Sequence, residues 1–215
     1  MIYLLEDPIS LTQTQYAQAC GLASSQRMEK VNRYRFEADR KQSLCAYLLL
    51  RYALREEYNI KDVPLLANTE GKPSLVGYEN IHFNLSHCRC AVACIVSDRP
   101  VGVDVQDWER DHSRLAERVC SADEQAYIHG AQSPETAFAQ IWTAKESYGK
   151  YMGQGILYDL PSVSFVKNGK LCAPDGLVLE CVLRDDFALS YCGEQKEALR
   201  QVTLSELLQE NSYND

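Results

Sequence analysis

The sequence predicts an α+β protein made of two halves of similar size. Short segments in which apolar residues recur at every second position indicate half-buried strands, and longer segments with the helical period indicate helices packed on them. Each half contains a strand, then helical segments, then further strands, which suggests a duplicated α+β unit without a clear residue-level repeat. A turn at Asp98-Arg99-Pro100 separates an N-terminal subdomain, residues 1–100, from a C-terminal subdomain, residues 101–215.

The first half contains one dominant helical pattern, with apolar residues on one side over residues 37–57. A continuous apolar run at 91–96 is typical of a strand buried on both faces. The predicted elements of this half are a strand at 2–5, helices at 12–21 and 37–57, a turn at Gly71-Lys72-Pro73, and strands at 81–85 and 91–96.

Local end signals place the two main helices of the second half. Ser121 and Glu124 form a capping-box pattern, in which both side chains satisfy backbone amides at a helix N-terminus. Ser133 followed by Pro134 marks another start, and this helix should run to about residue 152, where Gly153 ends it. The remaining predicted elements are strands at 101–105, 163–166, 177–182 and 187–192, and a final helix near 204–210.

The composition is that of an ordinary globular protein, with 46% hydrophobic and 24% charged residues among 215. The longest wholly apolar run, residues 44–50, is far shorter than the roughly 20 residues that span a bilayer. The first residues lack the basic region of a secretory signal. The nine cysteines are an odd number without the spacing of a small disulfide scaffold. We therefore expect a soluble, cytoplasmic protein with reduced thiols and no membrane partner.

The charge distribution argues against a nucleic-acid partner, because the formal net charge is -8 and such binding depends on neutralising phosphates. One segment departs from this acidic character. Residues 27–41 contain six basic and three acidic side chains. The segment is either a dock for an anionic ligand or acidic partner, or an ordinary solvated entry to the helix that follows.

Two segments concentrate the residues that carry chemistry. In the strand pattern VGVDVQ at 101–106, Asp104 and Gln106 point out of the same face. In the predicted helix that begins at Ser133, Trp142, Glu146 and Lys150 recur every four residues and lie on one side. A strand that bears a carboxylate and a helix that bears a carboxylate and an ammonium can together hold a divalent metal and a phosphate. The pattern therefore indicates phosphoryl chemistry.

The ordered motifs of the chain resemble those of the 4'-phosphopantetheinyl transferases of the surfactin-synthetase-activating type. The motifs are GKP at 71–73, FNLSH at 83–87, GVDV at 102–105, and WTAKES at 142–147 with Lys150 and GQG at 153–155. The resemblance implies two pseudo-twofold-related α+β subdomains with the active site between them. It also implies transfer of 4'-phosphopantetheine from coenzyme A to a serine of an apo acyl, peptidyl or polyketide carrier protein, with release of adenosine 3',5'-bisphosphate.

The resemblance also implies roles for individual residues. It places Mg²⁺ at Asp104 and Glu146, with position 106 as the third metal position, and it makes Glu146, Lys150 and His87 the catalytic residues. Glu146 would help to deprotonate the carrier serine, and Lys150 would act at the pyrophosphate. Without the resemblance, Lys150 could be an exposed ion-pair partner of Glu146, and His87 a core histidine. The coenzyme A contacts implied are Arg33, Arg40, Lys41, Ser43, Lys72, Ser86, His87 and Lys150.

Gln106 departs from the family pattern, which often has glutamate at this position. An amide oxygen can ligate a metal directly or hold a metal-bound water, but it carries no charge, so we expect weaker metal binding. The neighbouring Asp107 points to the opposite face of a regular strand and could replace Gln106 only through a bulge.

Three functions remain open at the level of sequence. The first is an active carrier-protein transferase, and the second is a degenerate relative that binds carrier protein or coenzyme A without transfer, for which Gln106 is the supporting feature. The third, a generic metal-dependent phosphohydrolase, accounts for Asp104 and Glu146 but not for the segment at 84–87. An internally duplicated chain needs no second subunit to complete a site between its halves, so we expect a monomer.

Overall fold

The computed structural model describes residues 1–62, 65–67, 73–108, 113–153, 159–174 and 176–209. The described chain mixes helices with sheets whose strands are antiparallel apart from one parallel pair, which confirms the predicted α+β class. The helices are α1 (Gln13–Gly21), α2 (Ser25–Asn32), α3 (Glu37–Tyr58), α4 (Ser113–Val119), α5 (Ala122–His129), α6 (Pro134–Met152) and α7 (Leu204–Leu208). The strands are β1 (Ile2–Glu6), β2 (Leu65–Ala67), β3 (Pro73–Leu75), β4 (His82–His87), β5 (Ala91–Ser97), β6 (Val101–Asp107), β7 (Val166–Lys167), β8 (Lys170–Leu171), β9 (Val178–Leu183), β10 (Phe187–Gly193) and β11 (Leu199–Gln201).

The two halves of the chain repeat the same topology. In the first half, β1, β5 and β4 form an antiparallel sheet in that order, and in the second half β6, β10 and β9 do the same. In each half, helices and a small two-stranded ribbon, β2–β3 or β7–β8, separate the first strand from the last two. The repeat of topology agrees with the duplicated unit that the hydrophobic pattern suggested.

The end of the chain returns to the first half. Strand β11 pairs in parallel with β1, and α7 contacts α1 and α3. Residues 199–208 therefore pack with the N-terminal unit, although they follow the second unit in sequence. The division into residues 1–100 and 101–215 stays a proposal. The described contacts show that residues 199–208, which belong to the second stretch, pack with the first.

Two long helices cover the outer faces of the sheets, and the inner faces pack on each other. Helix α3 contacts β5, β4 and β1, whereas α6 contacts β6 and β10. Between the sheets, Ile2 and Leu4 of β1 share a buried cluster with Val103 and Val105 of β6. Because side chains alternate along a strand, Asp104 and its neighbours two residues away face α6 instead.

The local end signals of the helices are as predicted. Ser121 and Glu124 form a capping box at the start of α5. Ser133 caps α6 with Pro134 in the first turn, and Gly153 ends the helix in the left-handed region at φ 74°. The strand predicted at 163–166 is instead a short ribbon, with β7 beginning at Val166. The Val163 carbonyl and the Phe165 amide bond to the side chains of Lys145 and Glu124 rather than to a neighbouring strand.

Some sequence expectations fall outside these elements. Helices α2 and α4 and strand β11 were not predicted, because they are short, with eight, seven and three residues, and so give too few positions for a periodic pattern. Gly71 and Lys72 of the predicted turn, and Gln154 and Gly155 after α6, lie outside the described residues. The nine cysteines, all of them described, form no disulfide. Within the described ranges, no helix is both long and apolar enough to cross a membrane.

Candidate active site

Helix α6 lies directly on β6 because residue 102 has no side chain. A Cβ atom at Gly102 would stand 1.9 Å from the Ser147 carbonyl oxygen and 2.5 Å from the Tyr151 amide nitrogen, distances that no side chain can adopt. Glycine therefore permits a backbone approach that any other residue would prevent. Two residues further along the same face, Asp104 meets the last turns of α6.

Asp104 is the centre of a hydrogen-bonded group that joins both halves of the chain. The residue is 6% exposed, and its Oδ1 atom accepts hydrogen bonds from Ser86 Oγ and from Lys150 Nζ, both at 2.7 Å. Lys150 Nζ also donates to the Val103 carbonyl at 3.1 Å. The ammonium of Lys150 thus pairs with the strand carboxylate that lies 46 positions away in sequence. Such a partly buried, charge-assisted bond is stronger than an exposed ion pair.

Glu146 lies one helical turn before Lys150 and is half-buried. Its Oε1 atom is buried and has no hydrogen-bond partner among the described residues. Burial, followed by the negative charge of Asp104 and partly offset by Lys150, raises the pKa of Glu146 to about 7. An unpaired buried oxygen costs about 1–3 kcal/mol, so this carboxyl is suited to a cation or a proton donor supplied by a ligand. A carboxyl with a pKa near neutrality is also suited to act as a general base.

His87 lies at the end of β4, on the same strand as Ser86, and its side chain is exposed at the rim of the site. The surrounding protein, followed by the positive charges of Lys150 and Arg27, lowers the pKa of the imidazole below its ordinary value. This shift favours the neutral ring, whereas a bound anion would favour the protonated form. The predicted alternative of a buried core histidine is wrong, because the side chain reaches solvent.

The predicted cation cluster for coenzyme A divides into two groups in the structure. Ser43 is buried in α3, and its hydroxyl accepts a hydrogen bond from the Arg27 guanidinium at 2.9 Å. Arg27 also stacks on Tyr47, and its Nε atom is buried with no hydrogen-bond partner in the described part of the chain. The structure thus joins Arg27 to Ser43, and the positive charge of Arg27 contributes to the lowered pKa of His87. Arg27 belongs to the basic segment but was not among the predicted contacts.

The other predicted basic residues lie apart from this group. Lys41 Nζ donates to the carbonyls of Ile9 and Leu11 and pairs with Glu37 at 3.0 Å. Arg40 Nε donates to the Tyr34 carbonyl, and Arg33 is exposed at the end of α2. The ammonium of Lys41 thus helps to fix the N-terminal loop. Lys72, the remaining predicted contact, lies outside the described residues.

Gln106 shares the face of Asp104, and its Nε2 atom donates to the carbonyl of Asp107 at 3.0 Å. The pairing of β6 with β10 is continuous, with Gln106 opposite Ala188 and Asp107 opposite Phe187. No bulge therefore rotates Asp107 onto the face of Asp104 in this described strand. The structure leaves Gln106 as the polar side chain next to Asp104 along that face.

Lys145, the neighbour of Glu146, is buried and bonds to groups that hold the fold together. Its side chain is fully buried and pairs with the equally buried Glu124, with 3.0 Å between Nζ and Oε2. Nζ also donates to the carbonyls of Leu160 and Val163, each at 2.7 Å. The Glu124 carboxylate in turn accepts from the backbone amide of Phe165 at 2.8 Å. This buried pair ties α5 and α6 to the segment after the site, and such pairs are costly to break from one side.

Comparison with known proteins identifies the class of protein to which this fold and site belong. A family model described as the 4'-phosphopantetheinyl transferase superfamily matches residues 100–192, and a model described as the 4'-phosphopantetheinyl transferase N-terminal region matches residues 10–99. The two matches adjoin at the turn that separates the repeated units. The chain belongs to the 4'-phosphopantetheinyl transferase superfamily, as the resemblance of its motifs predicted.

Among individual relatives, the chain is 33% identical over 152 residues to 4'-phosphopantetheinyl transferase psf-1 of Bacillus pumilus, covering 69% of this chain and 65% of that protein. It is 33% identical over 149 residues to the transferase gsp of Aneurinibacillus migulanus, covering 67% of this chain and 62% of that protein. It is 26% identical over 158 residues to the transferase Sfp of Bacillus subtilis strain 168, covering 72% of this chain and 70% of that protein. The matched part of the chain thus spans about two thirds of the length of these relatives.

Proposed function

We propose that the protein transfers 4'-phosphopantetheine from coenzyme A to a serine of an apo carrier protein and releases adenosine 3',5'-bisphosphate. The observation that carries the proposal is the convergence of Asp104, Glu146 and Lys150 with Ser86 and His87 where the two repeated units meet, in a chain of the phosphopantetheinyl transferase superfamily. The site combines two carboxylates with a cation. Transfer between oxygen atoms at phosphorus depends mainly on such positioning and charge neutralisation.

The proposed reaction forms one phosphorus–oxygen bond and breaks another. The serine oxygen of the carrier attacks the phosphorus that bears the pantetheine group, and the bond from that phosphorus to the bridging oxygen of the pyrophosphate breaks. Glu146 accepts the serine proton as the general base. Lys150 stabilises the charge that develops on the departing adenosine 3',5'-bisphosphate.

The polar groups of the site fit a Mg²⁺ ion. Glu146 has a buried oxygen without a partner in the described chain, and its pKa is raised in part by the charge of Asp104, so a shared cation would relieve both effects. Mg²⁺ is commonly held by one or two carboxylates together with substrate phosphate oxygens. Asp104 and Glu146 would hold the ion, and Gln106 would supply an uncharged oxygen directly or through water. When bound, the ion would neutralise charge on the pyrophosphate.

The nucleotide of coenzyme A is proposed to bind on the side of the first unit. Arg27 and Ser43 are hydrogen-bonded there, the charge of Arg27 acts on His87, and the guanidinium of Arg27 has an unpartnered, buried Nε atom among the described residues. Guanidinium, hydroxyl and imidazole groups suit the 3'-phosphate. Of the contacts predicted earlier, Ser86 and Lys150 remain proposed for the pyrophosphate, and Lys72 for the nucleotide. Arg33, Arg40 and Lys41 have less support, since Arg40 and Lys41 are engaged elsewhere.

The proposal includes the partner and setting of the reaction. The carrier is an acyl, peptidyl or polyketide carrier protein, and the acidic surface of the enzyme argues against nucleic acid as a partner. One chain supplies residues from both repeated units to the site, so we propose that a monomer is active. Cysteines that form no disulfide agree with a reducing compartment such as the cytoplasm.

The decisive experiment is incubation of the protein with coenzyme A, Mg²⁺ and a panel of apo carrier proteins, followed by mass spectrometry of the carriers. A mass gain of one phosphopantetheine on a carrier is the expected result, and a carrier with its acceptor serine replaced by alanine is the control. Binding of carrier or coenzyme A without transfer would favour the degenerate relative. Release of nucleotide without any carrier would favour a phosphohydrolase.

A further inference from the structure

The two main sheets meet where β4, the edge strand of the first sheet, runs beside β6, the edge strand of the second. The outer edge of β6 presents the backbone amides of Val103 and Val105, and both residues are buried. A buried amide without an acceptor is costly. No backbone ladder joins β4 to β6 among the described strands, so these two amides need acceptors of another kind.

Two side chains of β4 supply those acceptors. Asn84 Oδ1 accepts from the Val103 amide at 3.0 Å, and Ser86 Oγ accepts from the Val105 amide at 3.2 Å. Asn84 and Ser86 are two residues apart on one face of β4, and the two amides are two residues apart on one edge of β6. The spacing of one strand therefore matches that of the other. We call these two side-chain-to-backbone bonds the edge clamp.

The edge clamp leads directly to the reaction centre. Ser86 Oγ accepts a hydrogen bond from the Val105 amide and donates one to Asp104 Oδ1 at 2.7 Å. Asp104 Oδ1 also accepts a hydrogen bond from Lys150 Nζ. Ser86 by itself gives one polar attachment between the edges of β4 and β6. Asn84 adds a second point. A slip of one residue would move Asp104 by about 3.3 Å and turn it to the other face.

We infer that Asn84 is a positioning residue for the transfer reaction. By fixing β6 against β4, it holds the Ser86 hydroxyl on Asp104 and thereby aligns that carboxylate with Lys150 and Glu146. The inference rests on the proposed function for the chemistry that is aligned. The contacts of Asn84 themselves distinguish it from a substrate ligand, because its carbonyl oxygen is directed at the backbone of β6.

The test compares Asn84→Ala with Asn84→Asp and with a control outside the clamp. Asn84→Asp retains an acceptor oxygen for the Val103 amide, whereas Asn84→Ala removes it. Tyr3→Phe is the control, since it deletes one long-range hydrogen bond, from Tyr3 to Glu57, on the face of the first sheet that packs against α3. For each protein one measures the thermal midpoint, kcat and KM for coenzyme A, and Mg²⁺ binding by calorimetry in the presence of coenzyme A.

The expected result for Asn84→Ala is a fall of about tenfold or more in kcat and in Mg²⁺ affinity, as is typical when a residue that orients a metal ligand is lost. The KM for coenzyme A should change less than kcat, because Ser86 is only one of its proposed contacts. Asn84→Asp should recover most of both losses, and Tyr3→Phe should lower the midpoint while leaving kcat and Mg²⁺ affinity unchanged. If Asn84→Ala lowers the midpoint alone, as the control does, the inference is overturned and Asn84 has a purely structural role.

A double mutant tests the proposed route through Ser86. If Asn84 acts by holding Ser86 on Asp104, then Asn84→Ala combined with Ser86→Ala should lose no more Mg²⁺ affinity than Ser86→Ala alone. Losses that simply add would overturn the proposed route. If the wild-type protein transfers to no carrier, the proposed function fails, and the Mg²⁺ titrations still decide whether the clamp positions Asp104.

Discussion

Replacement of Gly102 by alanine should damage the active site through a single added methyl group. In the native structure that methyl would lie 1.9 Å from the Ser147 carbonyl oxygen and 2.5 Å from the Tyr151 amide nitrogen. Both atoms belong to the backbone of α6, so no side-chain rotation can relieve the contact. Real Cβ atoms essentially never come within 3.0 Å of such atoms, and α6 must therefore move away from β6 by roughly 1 Å or more.

A displacement of that size separates the groups that depend on the close approach. The bond between Lys150 Nζ and Asp104 Oδ1 is 2.7 Å long in the native site, so it would lengthen beyond hydrogen-bonding distance. We expect a loss of stability of about 1–3 kcal/mol from overpacking. We expect a loss of activity of about 100-fold, since a misplacement of about 1 Å can have that effect on a catalytic group.

The assay is kcat/KM for transfer to an apo carrier protein, measured well below the thermal midpoint of the variant. Gly21→Ala is the matched control, because a Cβ at Gly21 meets nothing within 4 Å and its φ is not in the left-handed region. That variant should keep full activity and be neutral or slightly stabilised. If Gly102→Ala also keeps wild-type activity and stability, the argument that Gly102 sets the distance between α6 and β6 is refuted.

Three further predictions concern individual site residues. The native state raises the pKa of Glu146 from 4.5 to about 7, so between these pH values the native protein keeps a proton that the unfolded chain has already released. Without Mg²⁺, the wild-type protein should therefore lose stability as the pH rises from about 4.5 to 7. Glu146→Gln should show a flatter dependence of stability on pH and no transfer. Equal pH slopes in the two proteins would contradict the raised pKa of Glu146. Gln106→Glu places a carboxylate beside Asp104 and should lower the Mg²⁺ concentration that gives the half-maximal rate, without changing the product. Coincident Mg²⁺ titration curves for the two proteins would show that residue 106 lies outside the metal site. Arg27→Ala should raise the KM for coenzyme A more than the KM for 3'-dephospho-coenzyme A. Arg33→Ala, at an exposed position, is the control. Equal effects of Arg27→Ala on the two substrates would show that Arg27 does not contact the 3'-phosphate.

The sequence by itself determined most of the regular structure around the site. Helix α6 begins at Ser133 and Pro134 and ends at Gly153 because caps and proline act on backbone groups only a few residues away. The alternation of valines around Asp104 likewise sets which face of β6 carries the carboxylate. These features depend on neighbours in sequence, so a pattern of residues is sufficient to predict them.

Only the tertiary structure decided which partners these residues have. Lys150 pairs with Asp104 across 46 positions, and Arg27 meets Ser43 across 16, while Lys41 in the same basic segment turns to the N-terminal loop. No pattern of neighbouring residues in the sequence predicts these pairings, because each depends on how closely two elements pack. The approach of α6 to β6 over Gly102 fixes one of those distances, and it arises when the second half folds. The side-chain clamp between β4 and β6 fixes another, and it arises only when the two halves pack on each other.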